Sequence, residues 1–171
     1  GLSRSAIASF VKQHEWPLEQ YRVPDGGYLS FHDFFIRELQ SGARPIARSA
    51  LCSPADGKLL AFKVGNLDQK LSVKNSHKSI REFFHNSPLL DSFKDPVLIA
   101  IRLAPADYHR FHFPFDCIPG EAQFIGGSRE SVNPVVFDYG INPWIRNQRV
   151  IIPLYNNYFY VTDFGNHAIR Q

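Results

Sequence analysis

The residues of this chain best suited to chemistry lie in one segment, residues 105–114, which reads PADYHRFHFP. It places two histidines, an aspartate, an arginine and a tyrosine between two prolines. The apolar run 97–101 precedes it and predicts a buried strand, because it is short, rich in β-branched residues and bounded by Pro96. Rigid scaffolds commonly present reactive side chains at strand ends. A catalytic segment is therefore one hypothesis, and a polar pair of histidines on a loop is the other.

The two histidines are expected to have different roles. Successive side chains alternate in extended backbone, so His109 and Phe111 would point one way and Arg110 and His112 the other. A shared metal site would also need a third ligand, and no residue pattern indicates one, so we expect no metal.

A carboxylate that could serve one of these histidines lies in the turn PADG, residues 54–57. Aspartate in such a turn commonly bonds its own backbone. Alternatively, Asp56 would orient His112, and His112 would act as general base on a hydroxyl nucleophile. Ser128 in Gly-Gly-Ser is a candidate nucleophile, although that sequence is more typical of a turn. Arg37 and Arg44 are commonly solvated or salt-bridged residue types, but together they could hold a carboxylate or phosphate.

The elements that must position these residues divide the chain in two. Residues 1–22 predict a helix or helix pair, and residues 30–39 predict a helix capped by Ser30 and stopped by Gly42. From residue 50 onward short strands and turns dominate, ending in a hairpin of 150–154 and 158–162. We expect an α+β fold, a mostly antiparallel β core domain (46–171, catalytic) with a helical N-terminal segment (1–45).

Composition narrows the classes of function. With 44% hydrophobic and 20% charged residues the chain is globular. A formal charge of +3 does not indicate nucleic acid as a partner, but it is compatible with a mildly basic face toward anionic lipid. No run of 18 apolar residues is present. The two cysteines, Cys52 and Cys117, match no zinc pattern and are expected to be buried thiols.

Five stretches together carry a resemblance, and they follow one another in a fixed order. They are FFIREL at 34–39 with Arg44-Pro45, SPADG at 53–57, YHRFH at 108–112 with Pro114, SVNP at 131–134, and NQRV at 147–150. In these motifs the chain resembles the phosphatidylserine decarboxylase family, specifically its larger, N-terminal β chain. The PADG and YHRFH pair at this separation is the most specific signal.

The resemblance implies an enzyme that makes its own cofactor. A proenzyme of this family cuts itself before a serine in a Gly-Ser motif, and that serine becomes a pyruvoyl group on a small α chain. By matching position, Asp56 and His112 would serve self-cleavage with that serine, and His109 would serve decarboxylation. The pyruvoyl carbonyl would draw electrons from the breaking Cα–carboxylate bond. We expect Tyr108, Arg110 and Phe111, which surround the histidines, to bind substrate.

The resemblance also implies partners and leaves alternatives open. Expected partners are the pyruvoyl-bearing α chain, a phospholipid membrane surface to which the protein binds peripherally, and a second α/β pair in a homodimer. The chain starts with Gly, contains no Met and has no downstream Gly-Ser site, so we expect it to be part of a longer protein. One alternative is a decarboxylase of a free amino acid such as tryptophan. Another is an inactive, lipid-binding relative, although retention of Asp56 and His112 argues against it.

Overall fold

The computed structural model describes residues 4–14, 16–73, 76–131, 134–139, 143–156 and 159–165. These residues form short helices and antiparallel strands, which confirms the expected α+β class. The α-helices are α1 Ala6–His14, α2 Phe31–Phe35, α3 Ile80–Phe83 and α4 Pro143–Arg146. The strands are β1 Tyr21–Arg22, β2 Glu38–Leu39, β3 Lys58–Lys63, β4 Lys70–Val73, β5 Ser76–Ser79, β6 Val97–Arg102, β7 Ile118–Pro119, β8 Gln123–Ile125, β9 Arg149–Tyr155 and β10 Phe159–Gly165.

The chain folds into two compact units, each built from two separate stretches. The first unit contains residues 1–60 and 99–115, and the second contains 61–98 and 116–171. The expected division into domains 1–45 and 46–171 stays a prediction. Every predicted catalytic and substrate-binding residue belongs to the first unit.

An aromatic cluster forms the core of the first unit. Phe34 on α2 is fully buried and contacts Phe10 of α1, Trp16 and Tyr28 edge to face, with ring centroids 5.0–6.2 Å apart. Such edge-to-face pairs add to the free energy gained by burying the rings. The predicted N-terminal helix therefore exists, as α1, and its Phe10 packs on the domain.

The predicted helix 30–39 is correct at its start and wrong at its end. Ser30 caps α2, since its hydroxyl accepts a hydrogen bond of 3.0 Å from the Asp33 amide. The helix ends at Phe35, well before Gly42, because residues 38–39 instead form strand β2. That strand pairs antiparallel with β1, with Tyr21 opposite Leu39. A pairing between distant residues thus overrides the local helical pattern.

The second unit is organised around β9. This strand pairs antiparallel with β10, β7 and β8, and it contributes the fully buried Ile151 and Leu154. Ile151 belongs to a core cluster whose other buried members are Val64, Ile80, Phe84 and Leu90. The predicted strands of the hairpin are confirmed as β9 and β10, while Asn157 and Tyr158 lie outside the described residues. Helix α3 begins with a capping box, in which the Ser79 hydroxyl accepts from the Glu82 amide and the Glu82 carboxylate accepts from the Ser79 amide.

Strand β6 exists as predicted, but the expectation that it is buried is wrong. Val97 is 55% and Ile99 43% exposed. In the described part of the chain β6 pairs only with β3, and a two-stranded sheet leaves much of its apolar surface uncovered. The cysteines also differ from expectation: Cys52 and Cys117 are free thiols that are half-buried rather than buried.

Candidate active site

Two hydrogen bonds bring the PADG turn beside the second histidine. The His112 amide donates to the Pro54 carbonyl at 2.7 Å, and the Cys52 amide donates to the Pro114 carbonyl at 2.7 Å. The chain here is loop rather than regular strand, yet the two segments run side by side. Residues distant in sequence are thereby held within one small region of the first unit.

The turn that carries Asp56 is fixed by its neighbours. Gly57 has φ +139°, a backbone conformation that favours glycine. A Cβ at this position would lie 2.6 Å from the Arg102 carbonyl oxygen at the end of β6. The Ser53 hydroxyl donates to the Ala55 carbonyl at 2.7 Å. Glycine at position 57 therefore lets the turn approach β6, and the turn sets where the Asp56 carboxylate lies.

The Asp56 carboxylate is held by Arg44. Nη2 donates to Oδ2 at 2.8 Å, and Nε lies 3.2 Å from Oδ2 and 3.3 Å from Oδ1. In the part of the chain that the structure describes, no hydrogen bond joins this carboxylate to the His112 ring. Of the alternatives that the sequence left open for Arg44, the structure shows the salt-bridged arginine. Its partner is the Asp56 carboxylate, which no spacing in the sequence indicates.

His109 is buried, and a hydrogen bond orients its ring. It is 7% exposed, its ring centroid lies 3.8 Å from that of Phe35, and Nδ1 is 2.8 Å from the Asp107 carbonyl oxygen. Because a carbonyl only accepts, Nδ1 is the donor in this contact. Proton exchange with another group would then take place at Nε2.

The Asp107 carbonyl is itself held in place. Arg37 Nη2 donates to it at 3.4 Å, and the Asp107 carboxylate accepts from the Ala104 amide at 2.5 Å. Trp16 Nε1 donates to the neighbouring Ala106 carbonyl. These contacts fix the loop that orients the His109 ring.

Arg37 is not solvated: it is buried against aromatic rings. It is 2% exposed, and its guanidinium carbon lies 3.7 Å from the centre of the Trp16 ring and 4.1 Å from that of Tyr21. Cation–π contacts of this kind stabilise a desolvated guanidinium. Arg37 therefore supports the core and the Asp107 loop.

The predicted substrate-binding residues have different surroundings. Tyr108 is 3% exposed and its ring stacks on His112 at 5.7 Å, and burial raises the pKa of its hydroxyl. Arg110 donates from Nε to the Ile36 carbonyl at 2.7 Å and pairs with Glu38 at 3.2 Å. Phe111 is half-buried. Their contact with substrate stays a prediction.

Ser128 forms an isolated parallel β-bridge with Asn147 in the second unit, rather than the turn that the sequence favoured. Its hydroxyl oxygen is 3.1 Å from both the Arg146 carbonyl and Asn147 Oδ1. At Gly127 an added Cβ would lie 2.3 Å from the Arg146 carbonyl oxygen, so glycine lets the two segments approach this closely. These hydrogen bonds hold the Ser128 hydroxyl against the segment 146–147.

The chemistry available in the first unit is proton transfer. A buried histidine oriented by the Asp107 carbonyl and an exposed histidine whose backbone is bonded to the PADG turn can act as two separate acid–base groups. Within the described residues, no group of three or more His, Cys, Asp and Glu side chains could hold a metal ion.

Comparison with known proteins agrees with the motifs. The sequence model of the phosphatidylserine decarboxylase family matches residues 31–171. The phosphatidylserine decarboxylase proenzyme of Fusobacterium nucleatum subsp. nucleatum is 40% identical over 149 residues, 86% of this chain and 50% of that protein. The proenzyme of the same name from Clostridium tetani is 35% identical over 160 residues, 92% of this chain and 54% of that protein. The chain thus spans about half the length of these relatives.

Proposed function

Because the chain belongs to the phosphatidylserine decarboxylase family, we propose that it is the β-chain portion of an enzyme that decarboxylates phosphatidylserine to phosphatidylethanolamine. The enzyme would mature by cutting itself at a serine of the full-length protein. Asp56 and His112 would serve the cutting, and His109 the decarboxylation. The curated relatives carry the phosphatidylserine name, which favours this substrate over a free amino acid.

The observation that carries the proposal is the 2.7 Å hydrogen bond from the His112 amide to the Pro54 carbonyl. Asp56 follows Pro54 by two residues, so this bond holds the general base and the orienting carboxylate of the proposed triad in neighbouring segments. Family motifs that are far apart in sequence are adjacent in the fold, as a shared site requires.

In self-cleavage, His112 would take the proton from the serine hydroxyl as the oxygen attacks the preceding peptide carbonyl. It would then give that proton to the departing nitrogen, which leaves the two parts joined by an ester at the serine oxygen. Removal of the serine α-proton would expel the carboxylate of that ester and so separate the chains, and water would convert the resulting dehydroalanine into the pyruvoyl group with release of ammonia. Asp56 would stabilise the positive charge that His112 carries in between. His112 is exposed and stacked on Tyr108, which limits how its ring can turn while leaving it accessible.

In decarboxylation, a pyruvoyl group would supply an electrophilic carbonyl that withdraws electrons from the substrate. The residues of this chain fit the remaining task, which is to place a proton where carbon dioxide has left. His109 Nδ1 is committed to the Asp107 carbonyl, so Nε2 is the atom that would handle this proton. Contact with Phe35 and burial would keep bulk water from competing.

The proposed partners are the pyruvoyl-bearing α chain, a second α/β pair in a homodimer, and a phospholipid surface. No helix in the described part of the chain is long and apolar enough to cross a membrane. Support for peripheral binding comes from a groove of about 500 Å³ beside α1, which we call the α1 groove. It is lined by Arg4, Ile7, Ala8, Val11, Lys12, Leu18, Gly27 and Tyr28. An apolar floor with cations at its edge suits an anionic phospholipid surface.

The test is the intact mass of the full-length gene product before and after treatment with a carbonyl reagent. We expect two chains, of which only the smaller gains the mass of the reagent, together with carbon dioxide release from phosphatidylserine. A single uncut chain that does not react with the reagent would contradict the proposal.

A further inference from the structure

Arg44 connects the proposed catalytic aspartate to a neighbouring element. One face of its guanidinium fork binds the Asp56 carboxylate, with a shortest contact of 2.8 Å from Nη2 to Oδ2. The remaining nitrogen, Nη1, donates to the Gln20 side-chain oxygen at 2.6 Å and to the Ala43 carbonyl at 3.0 Å. The guanidinium is thus bound at both ends, and the carboxylate is connected through it to the residue before β1.

This pair differs from the ion pair between Arg22 and Glu38, which joins β1 to β2. Arg22 and Glu38 approach at 3.1 Å, but their side chains are 69% and 49% exposed. The Arg44 and Asp56 side chains are 38% and 31% exposed, and the hydrogen bond to Asp56 raises the pKa of Arg44. Exposed pairs contribute little to stability, whereas a guanidinium held by several acceptors has a defined orientation.

Arg44 makes more hydrogen bonds to one oxygen of the Asp56 carboxylate than to the other. Oδ2 receives both Nη2 and Nε, at 2.8 and 3.2 Å, while Oδ1 receives Nε alone at 3.3 Å. A carboxylate has about four lone-pair sites. Oδ1 therefore keeps the greater capacity to accept a further N–H, such as that of an imidazole.

We propose that Arg44 is a positioning residue for self-cleavage, which holds Asp56 by one oxygen so that the other can orient His112. This inference rests on the proposed function, because Arg44 can position Asp56 for self-cleavage only if Asp56 and His112 act together in that step. Arg44 itself contacts neither the serine nor the substrate in this scheme, and acts only through Asp56.

The experiment measures the rate of self-cleavage in freshly made full-length protein, for wild type and for Arg44→Ala, Arg44→Lys and Gln20→Ala. We expect Arg44→Ala to slow cutting by about tenfold or more, since a small misplacement of a catalytic group is costly. Arg44→Lys keeps the charge but not the fork and should be intermediate, and Gln20→Ala should show a smaller loss. Arg22→Ala, which breaks the exposed pair with Glu38, is the matched control and should cut at the wild-type rate.

Two further readouts separate positioning from simple stability. Added guanidinium ion at low concentration should restore cutting in Arg44→Ala and leave Arg22→Ala unchanged. The thermal midpoints of the two variants should be similar. If Arg44→Ala cuts as fast as Arg22→Ala, or loses rate only in step with its thermal midpoint and without rescue, the role of Arg44 is overturned while the proposed function stands. A wild-type protein that never cuts would overturn both.

Discussion

At the scale of single residues, the two histidines of YHRFH have different surroundings. His109 is 7% exposed with Nδ1 on the Asp107 carbonyl, whereas His112 is exposed and stacked on Tyr108. A buried ring with one nitrogen committed suits a single directed proton transfer. An exposed ring beside the Asp56 turn suits the activation of a hydroxyl that arrives from elsewhere in the protein.

Because the two histidines would serve different steps, we predict that replacing each one in the full-length protein impairs a different step. His112→Ala should leave one uncut chain, because the hydroxyl then lacks its base. His109→Ala should be cut normally but turn over phosphatidylserine about a hundredfold more slowly, within the range for losing a general acid. Gel analysis of cutting and carbon dioxide release measure the two steps.

The control for both variants is His32→Ala, an exposed histidine on α2 in the same unit, which should behave as wild type in both steps. Normal cutting of His112→Ala, or full turnover by His109→Ala, would remove that residue from its assigned step.

At the scale of elements, the turn at residues 54–57 depends on close approach to the end of β6. Alanine at position 57 would place a Cβ 2.6 Å from the Arg102 carbonyl oxygen and would force φ +139° on a residue that disfavours it. Gly42 also has positive φ, +79°, but an added Cβ there meets nothing within 4 Å. The two glycines therefore separate the cost of the clash from the cost of the φ angle.

We predict that Gly57→Ala lowers the free energy of unfolding by about 2 kcal/mol more than Gly42→Ala does, since forced overpacking commonly costs 1–3 kcal/mol. Because the shift would move Asp56, Gly57→Ala should also slow self-cleavage, and Gly42→Ala should not. Chemical denaturation and the cutting assay check the two parts. Equal losses for both alanines would show that the approach to β6 is not tight.

These elements also show which structural features could be predicted from the sequence and which could not. A signal contained within a few residues was correct: the cap at Ser30 bonds as its pattern predicts. Contacts between distant residues were missed. The pairing of β1 with β2 shortened a predicted helix, and the contact of Arg44 with Asp56 joins two loops that carry no periodic signal. The motifs indicated candidate reactive side chains, but not the residues that hold them.

At the scale of the whole molecule, the chain spans about half the length of its relatives. Several of its large apolar side chains are exposed. Leu59 and Leu60 in the first unit are 57% and 61% exposed, and Ile118 and Phe124 in the second are 73% and 78% exposed. Leu59 and Leu60 are consecutive in strand β3, so their side chains point to opposite faces and leave apolar surface exposed on both sides of that strand.

The α1 groove carries the last prediction, which concerns where the assembled enzyme meets lipid. Lys12 is exposed at the groove edge, and Lys94 is an exposed lysine in the second unit, so Lys12→Glu and Lys94→Glu change the net charge equally. A lysine near an anionic surface contributes about 1 kcal/mol to binding, so Lys12→Glu should weaken binding by about fivefold or more. Co-sedimentation of full-length enzyme with phosphatidylglycerol vesicles measures this without substrate, and phosphatidylcholine vesicles give the baseline. Equal losses for both variants would mean that attraction to lipid is spread over the protein, whereas loss for Lys12→Glu alone assigns it to α1.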